Sequence, residues 1–340
     1  MRVCLKRGNK MNILVTSAGR RVKIIEYFKE SLSRLNGKVI ATDCNMNAPA
    51  IHFADNYEIV PRIDDPNYIQ NLLDICKKYE INAVISLIDP ELELLANHQT
   101  VFDKENIKLI LSSPDMIDIS FDKFKTYHYL NGKGIQSVPT YDKLDEVLSL
   151  LKNNVLTYPL VVKPAKGSAS IGLFIVDNET ELNEAYNKFE GQIIQPFYKD
   201  KEFGIDVYID MNNGKLVDLF IKEKLRMRAG ETDKSISIHN EKIEKLVKDM
   251  IEETNFVGPI DIDCFEYNGE YYISEVNPRF GGGYPHAYEM GCNFMDYIVY
   301  NLQDEVNEGY ESFNYEKEYV MMKYDYVLLE KRETSEIKYN

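Results

Sequence analysis

The first 115 residues alternate between short apolar runs and apolar residues at helical spacing, and this alternation limits the possible folds more than any other feature. Four runs predict strands, at residues 12–16, 38–42, 83–88 and 107–111. Between them, spacings such as that of Val22, Ile25 and Phe28 predict amphipathic helices. Alternating strands and helices form parallel βαβ units, so we expect an α/β domain with a doubly wound sheet. Such sheets bind ligands at the carboxyl ends of their strands.

The pattern changes after Pro114. Two helices are predicted first, and from Pro159 onward most apolar residues alternate as they do in strands. Hairpin turns are predicted at Asn213-Gly214 and Asn268-Gly269. We therefore predict an α/β domain over residues 1–115, followed by an α+β domain over residues 116–340.

Composition excludes several classes of function. The chain has 40 Lys and Arg against 55 Asp and Glu, a formal net charge of −15 at pH 7. General nucleic-acid binding depends on cationic contacts to phosphates, so no nucleic-acid partner is expected. No apolar run approaches the roughly 18 residues of a membrane span, so no membrane partner is expected either. The five cysteines lie far apart and the histidines lack zinc-site spacing, which favours a cytoplasmic protein without disulfides or structural zinc.

The turn after the first strand, Ser17-Ala18-Gly19, is a candidate ligand site. A dinucleotide site requires the pattern GxGxxG, and only Gly19 of its three glycines is present. This turn therefore argues against a nicotinamide-dependent oxidoreductase. Arg20 and Arg21 come next, and they fit a solvated first helical turn as well as they fit an anion-binding site.

A second candidate is the loop that follows the predicted strand ending at Lys163. Small residues fill positions 165–172, between this strand and the next, and Lys166 adds a second cation. Backbone N–H groups in such a turn can bind phosphate oxygens. The sequence GxxxxGK[ST] of a P-loop is absent, and an ordinary surface hairpin explains the loop equally well.

The third candidate is a pair of acidic strands. Asp261 and Asp263 share one face of the first strand, and Glu275 and Asn277 share one face of the second. An odd number of turn residues at Asn268-Gly269 would put all four side chains on the same face, whereas a two-residue turn would put the two pairs on opposite faces. Together, the carboxylates and the amide form an oxygen ligand set suited to Mg²⁺. The alternative is a solvated acidic strand pair.

A fourth segment, residues 192–203, predicts a strand, a bend and a second strand. Backbone groups at such a bend can pair with the edge of an adenine, and Glu202, seven residues after Gln195, could bind ribose hydroxyls. An ordinary connection between strands is the alternative.

Taken in order, these segments resemble the ATP-grasp superfamily from Met11 to about Tyr324, and its carbamoyl-phosphate-synthetase-like carboxylate ligases in particular. The most specific motif is Glu-Val-Asn-Pro-Arg at residues 275–279. The resemblance implies a Rossmann-like parallel pre-ATP-grasp domain followed by an α+β ATP-grasp domain. Within the latter, it implies a small lid subdomain over about 120–194 and a larger antiparallel subdomain over about 195–340.

The same resemblance implies a role for individual residues. Those matching nucleotide-binding positions are Lys123, Lys163, Lys166, Gly167, Ser168, Gln195, Phe197, Glu202 and Arg226. Asp263, Glu275 and Asn277 match the ligands of Mg²⁺, or of Mn²⁺ in its place. Arg228, Arg279 and Lys163 are the implied catalytic cations. Gln195 departs from the Glu that many members carry, but its amide can still pair with an adenine edge.

The implied function is ligation with ATP and Mg²⁺ as cofactors. ATP converts a small carboxylate, such as that of an amino acid, into an acyl phosphate, and an amine or another nucleophile displaces the phosphate. The alternatives are a non-catalytic nucleotide-binding module and, less favoured, the nicotinamide-dependent enzyme. A homodimer remains open.

The acceptor substrate is expected at the strand ends of the first domain. Arg20 and Arg21 could bind a carboxylate, and Asp89 and Glu91 an ammonium group, so the charges fit a zwitterion. Gly282, in a run of three glycines, would let the backbone approach the acyl phosphate. The alternative is that these four charged residues pair with one another and contact no ligand.

Overall fold

A computed structural model describes residues 10–167 and 172–331 of the chain. In the first part of this range, parallel strands form one sheet in the order β3-β2-β1-β4-β5. The strands are β1 (Ile13–Thr16), β2 (Val39–Asp43), β3 (Asn56–Ile59), β4 (Ala83–Ser86) and β5 (Lys108–Leu109). Their residues in β1, β2 and β4 are almost all buried, as expected of a sheet covered on both faces.

Helices connect these strands. They are α1 (Val22–Ser33), a 3₁₀ helix (Pro49–Phe53), α2 (Tyr68–Lys78), α3 (Asp89–Asn97) and α4 (Gln99–Lys104). The predicted strands and helices are present here, and β3 is an edge strand that the sequence analysis did not identify. A doubly wound parallel sheet results, as predicted.

A small antiparallel sheet follows. Two helices lead into it, α5 (Pro114–Phe121) and α6 (Lys123–Gly132), and the unit itself consists of α7 (Leu144–Lys152), β6 (Leu160–Pro164), β7 (Phe174–Val176), α8 (Glu179–Tyr186) and β8 (Gln192–Pro196). The strand order is β7-β6-β8. Val147, Leu160, Val162 and Leu182 form its buried core.

A larger antiparallel sheet has the order β13-β12-β9-β10-β11-β14. Its elements are β9 (Glu202–Ile209), β10 (Leu216–Arg228), β11 (Glu231–Ile238), α9 (Glu241–Glu253), β12 (Gly258–Tyr267), β13 (Glu270–Asn277), α10 (Tyr284–Glu289), α11 (Phe294–Leu302) and β14 (Val320–Met322). Helix α9 packs its apolar face, including Ile243 and Val247, on one side of this sheet.

The α/β sheet and the larger antiparallel sheet share a hydrophobic core. Phe28 on α1 contacts Phe280 edge to face, with 6.1 Å between ring centroids, and Tyr27 stacks on Tyr288 at 3.5 Å. The predicted fold class, a parallel α/β sheet followed by an α+β region, is confirmed. The domain boundaries stay predictions. Over residues 10–167 and 172–331, no helix is long and apolar enough to span a membrane.

Candidate active site

A polar cleft forms where the small sheet, the large sheet and the loop after β1 meet. The empty space within it, including the part open to solvent, is about 930 Å³. The described residues that line it include six cations and five carboxylates: Arg21, Lys123, Lys163, Lys166, Lys224 and Arg279, with Glu202, Glu231, Asp261, Asp263 and Glu275. This composition suits a charged ligand that carries its own metal ion.

Two predicted phosphate lysines lie on the same side of the cleft. Asp122 caps α6 by accepting hydrogen bonds from the backbone N–H groups of Phe124 and Lys125, and this fixes Lys123 at the first helical position. Lys123 Nζ donates to Gly167 O at 2.7 Å and lies 3.7 Å from Glu275 Oε2. Lys163 is on β6. Burial lowers the pKa of Lys163 to about 8, although the Glu275 carboxylate acts in the opposite direction.

The glycine-rich loop begins where the sequence predicted it. Gly167 has φ +120° and Gly172 has φ +76°, conformations that side chains rarely adopt. Lys166 and Gly167 both line the cleft. The predicted contact at Ser168 lies outside the described residues.

The polar side chains of β12 and β13 lie on one face of the sheet because of a β-bulge, which the sequence analysis did not predict. The turn has two residues, Asn268 and Gly269 with φ +53° and +77°, and such a turn alone would separate the pairs. A β-bulge at Ser274 adds one residue to β13, so that Asp263 lies opposite Glu275 and Asp261 opposite Asn277. The bulge therefore has the effect that an odd turn would have had.

These oxygens fit a hard divalent cation. Two carboxylates and one amide, from Asp263, Glu275 and Asn277, line the same cleft, and oxygen ligands of this kind suit Mg²⁺. Burial raises the pKa of Glu275; the Lys123 ammonium opposes this change, and the neighbouring Asp263 carboxylate adds to it. Among the residues described, no group of three or more His, Cys, Asp or Glu side chains is arranged to hold a metal ion, and the predicted set combines two carboxylates with the Asn277 amide.

Sequence analysis missed Lys224, which is central to this face. Its Nζ lies 2.6 Å from Asp263 Oδ1 and 2.7 Å from Glu202 Oε1, and its side chain is 6% exposed. Burial alone would lower the pKa of Lys224, but the two carboxylates raise it. The signal was available in the alternation of β10, which places Lys222 and Lys224 on one face.

Arg226, implied above to bind nucleotide, and Arg228, implied above to be a catalytic cation, do not face the cleft. The register between β10 and β11 is interrupted on both sides of Arg226, and Met227 lines the cleft there. Arg228 Nε binds Asp233 at 2.9 Å and its NH1 binds Asp325 at 2.7 Å, with the side chain 44% exposed. In this structure, both arginines therefore lie outside the cleft.

The predicted adenine hinge lies at the end of β8. The Gln195 amide is buried and donates to Thr140 Oγ1 at 2.7 Å, so its side chain is already occupied within the protein. Phe197 follows β8, and its N–H donates to Pro159 O. Neither residue lines the cleft, and an adenine contact at either position stays a prediction.

Arg279 and Asp89 form an ion pair across the two sheets. Arg279 Nε lies 2.8 Å from Asp89 Oδ1, and NH2 lies 2.8 Å from Oδ2. Asp89 is the first residue of α3, and this contact anchors Arg279 beside Asn277. Asp89 therefore orients a cleft arginine and leaves no free carboxylate for an ammonium group.

Glu91 is the clearest departure from the predicted substrate site. The side chain is fully buried and accepts hydrogen bonds from the hydroxyls of Ser17, Tyr68 and Ser86. Helix α3 begins at Asp89, so Glu91 is turned into the protein and away from the arginines. The alternative, in which Arg20 and Arg21 pair with Asp89 and Glu91, is therefore not observed, and the buried Glu91 carboxylate is not available to a substrate ammonium group, contrary to the prediction.

Arg20 and Arg21 instead pair with Glu231 at the start of β11. Arg21 Nε lies 3.1 Å and Arg20 NH2 3.2 Å from Glu231 Oε1. Lys323, just after β14, lies 3.1 Å from Glu231 Oε2 and donates to Gly282 O at 2.6 Å. This group of four residues, the Glu231 cluster, had no counterpart in the sequence analysis.

The run Gly281-Gly282-Gly283 passes close to three side chains. A Cβ at these positions would lie 2.3 Å from Asp261 Oδ1, 2.6 Å from Glu231 Cγ and 2.5 Å from Lys222 Cε, respectively. Glycine is therefore required for close packing of this turn against the sheet. Because Gly282 and Gly283 line the cleft, the turn connects the acidic face with the Glu231 cluster.

Two protein-family models match this chain, one in its first part and one in its second. A family model described as an ATP-grasp domain matches residues 120–283, and one described as a PylC-like N-terminal domain matches residues 13–110. The chain is 23% identical over 296 residues to the formate-dependent phosphoribosylglycinamide formyltransferase of Wigglesworthia glossinidia brevipalpis, covering 80% of this chain and 70% of that protein.

Two solved structures show the same fold. The biotin carboxylase domain of Hydrogenobacter thermophilus 2-oxoglutarate carboxylase, in complex with MgADP and bicarbonate, matches with a TM-score of 0.73 and 16% identity, over 92% of this chain and 74% of that one. An L-amino acid ligase from Bacillus licheniformis matches with a TM-score of 0.66 and 22% identity, over 87% and 75%.

Proposed function

The chain belongs to the ATP-grasp superfamily of ATP- and Mg²⁺-dependent ligases, and we propose that it joins the carboxyl group of an amino acid or a similar small acid to an amine, releasing ADP and phosphate. The observation that carries this proposal is the cleft itself. Asp263, Glu275 and Asn277 face it from the large sheet, Lys163 faces it from the small sheet, and Lys123 faces it from the start of α6. Phosphoryl transfer requires this kind of positioned charge more than it requires covalent chemistry by the protein.

Asp263, Glu275 and Asn277 are the residues that would hold Mg²⁺, or Mn²⁺ in its place. When bound, the metal ion neutralises charge on the transferred phosphoryl group and on the phosphates of ADP. The bulge at Ser274 brings the three ligands to the same face, so the ligand set depends on it.

Lysines would bind the phosphate chain. Lys123 and Lys163 lie at the glycine-rich loop, and Lys224 lies across the cleft between Glu202 and Asp263. Lys163 has a pKa of about 8 without a ligand, and nearby phosphates would raise it, so ATP binding favours its charged form. Glu202, one third exposed beside Lys224, is the proposed ribose contact. Gln195 and Phe197 remain the proposed adenine hinge.

The chemistry takes two steps. A carboxylate oxygen attacks the γ-phosphorus, the bond to ADP breaks, and an acyl phosphate forms. The amine nitrogen then attacks the carbonyl carbon, phosphate leaves with the former carboxylate oxygen, and the nitrogen loses a proton to solvent. Arg279, held by Asp89 beside Asn277, is positioned to stabilise negative charge in both steps.

The amino-acid class is supported by charged groups beside the glycine turn, next to the acidic face. Arg21, Glu231 and Gly282 line it, and they offer cationic and backbone groups to a small polar substrate. The related L-amino acid ligase has the same fold over 87% of this chain. The predicted homodimer and cellular location stay predictions.

The proposal is tested by incubating the protein with MgATP and each of the twenty L-amino acids, singly and in pairs. ADP is measured by a coupled assay and the products by mass spectrometry, with hydroxylamine added in parallel to trap acyl phosphates as hydroxamates. We expect one pair to give ADP together with its condensation product. If none of the amino acids raises the rate of ADP release above the rate with MgATP alone, the proposed substrate class is contradicted.

A further inference from the structure

The Glu231 cluster holds more positive charge than its own carboxylate neutralises. Arg20, Arg21 and Lys323 all lie within 3.3 Å of Glu231 oxygens, three cations against one anion. Burial lowers the pKa of Lys323, although Glu231 raises it, and Arg21 and Arg20 lower it further. Burial also lowers the pKa of Arg21; the Glu231 and Asp261 carboxylates act in the opposite direction, and Arg279 and Arg20 add to the lowering. An additional anion would relieve this repulsion.

The cluster reaches the cleft through two of its four members, Arg21 and Glu231, and Arg20 and Lys323 contact Glu231 from outside the cleft lining. Arg21, Glu231 and Gly282 line the same cleft as the predicted metal ligands. Along the glycine turn, Gly281 packs on Asp261 and the next residue, Gly282, packs on Glu231. Consecutive Cα atoms are 3.8 Å apart, so the cluster begins about one residue from the acidic face.

Lys323 is brought to Glu231 by the pairing of β14 with β11. Strand β14 pairs with β11 at the edge of the large sheet, and Lys323 N then donates to Asp233 O at 3.0 Å. This pairing directs the side chain to Glu231 and to Gly282 O. Lys323 lies beyond residues 120–283, where the ATP-grasp family model ends, so the match to that model assigns it no role.

We propose that Arg20, Arg21 and Lys323, ordered by Glu231, form a subsite for a free carboxylate of the amine-bearing substrate. This inference rests on the proposed function, and it names the substrate class as amines that carry a second carboxylate, such as α-amino acids. A carboxylate binds two or more of these cations, and this holds the amine beside Gly281–Gly283, where the acyl phosphate forms. Guanidinium and ammonium donors bind carboxylates through charge-assisted hydrogen bonds.

The test measures binding without turnover. Thermal unfolding of the full chain is followed with Mg²⁺ and a non-hydrolysable ATP analogue. Three additions are compared: a mixture of the twenty L-amino acids, the mixture of their carboxamides, and inorganic phosphate. The variants are Lys323→Met and Lys323→Arg, with Lys317→Met as a control because Lys317 is an exposed lysine of the same segment.

We expect the amino acids to raise the melting temperature of the wild type, Lys323→Arg and Lys317→Met, and the increase to fall by at least half in Lys323→Met. We expect carboxamides and phosphate to give smaller increases in the wild type. If Lys323→Met does not fold, Arg20→Gln is used instead, because the Arg20 side chain is 53% exposed.

Three results would overturn the subsite: carboxamides as effective as the acids, an increase from phosphate that Lys323→Met abolishes, or an undiminished amino-acid increase in Lys323→Met. The proposed function has a separate outcome. If amino acids support ADP release but any of these three results is found, the subsite is refuted and the proposed function still holds.

Discussion

Replacing Lys224 by methionine should destabilise the protein strongly, although no catalytic step is involved in the measurement. Lys224 Nζ contacts Glu202 and Asp263 at 2.7 and 2.6 Å. Removing one partner of a buried ion pair costs about 3–5 kcal/mol because the other charge stays buried without compensation. The Glu202 and Asp263 side chains are 33% and 24% exposed, so water screens part of the repulsion. We therefore expect the unfolding free energy to fall by about 3 kcal/mol, the low end of that range.

The assay is urea unfolding followed by far-ultraviolet circular dichroism, together with tyrosine fluorescence, since the chain has 24 tyrosines and no tryptophan. The matched control is Lys242→Met, which removes an exposed pair with Glu270 at 3.1 Å and should cost about 0–1 kcal/mol. Millimolar Mg²⁺ should restore more stability to Lys224→Met than to the wild type, because it replaces the lost positive charge. A loss no larger than that of Lys242→Met, or no difference in the response to Mg²⁺, would refute this account of the acidic face.

Three further predictions concern single residues. Glu202→Ala should weaken binding of ATP, measured by calorimetry, by about 1.5–3 kcal/mol while changing kcat less, because ribose contacts are the same in the ground and transition states; unchanged affinity would exclude the ribose role. Glu91→Gln should lower the unfolding free energy by about 1–3 kcal/mol, since the buried carboxylate accepts three hydroxyl hydrogen bonds, and a loss below 0.5 kcal/mol, about that of an ordinary surface change, would contradict this. Burial lowers the pKa of His286 to about 4, below the value near 6.5 of the unfolded chain, so the unfolded state binds more protons between these values. The contribution of His286 to the unfolding free energy, about 3 kcal/mol, is therefore present above pH 6.5 and is lost as the pH falls towards 4. In His286→Gln, the unfolding free energy should fall less between pH 6.5 and pH 4 than in the wild type. Identical pH profiles of the two proteins would rule this contribution out.

Much of the fold was predictable because it is encoded by local periodicity. The strand at Ile13–Thr16 and the helix at Val22–Ser33 follow directly from apolar spacing. The motif at residues 275–279 predicted the ATP-grasp family, and the family is confirmed. The roles of individual site residues stay predictions.

The rest depended on contacts between distant parts of the chain. The two-residue turn at Asn268-Gly269 alone would put the two acidic pairs on opposite faces, and the bulge at Ser274 returns them to one face. The local sequence of β13 contains no signal that predicts this bulge. Glu231 binds Arg20 and Arg21 from about 210 residues away in sequence, so the sequence analysis did not find this contact and grouped those arginines with Asp89 and Glu91 as a zwitterion site. Glu91 was predicted to bind an ammonium group because the hydroxyl donors that bind its buried carboxylate come from three separate segments of the chain.

The most direct test of the central claim follows oxygen from the substrate carboxylate. The amino acid that supports ADP release is labelled with ¹⁸O in its carboxyl group and incubated with MgATP, the amine substrate and the wild-type protein. Mass spectrometry then measures label in the released phosphate. Activation as an acyl phosphate predicts one ¹⁸O atom in each phosphate released, and no transfer above background with Glu275→Gln. Unlabelled phosphate from the wild type, with the amide product formed, would contradict carboxylate phosphorylation.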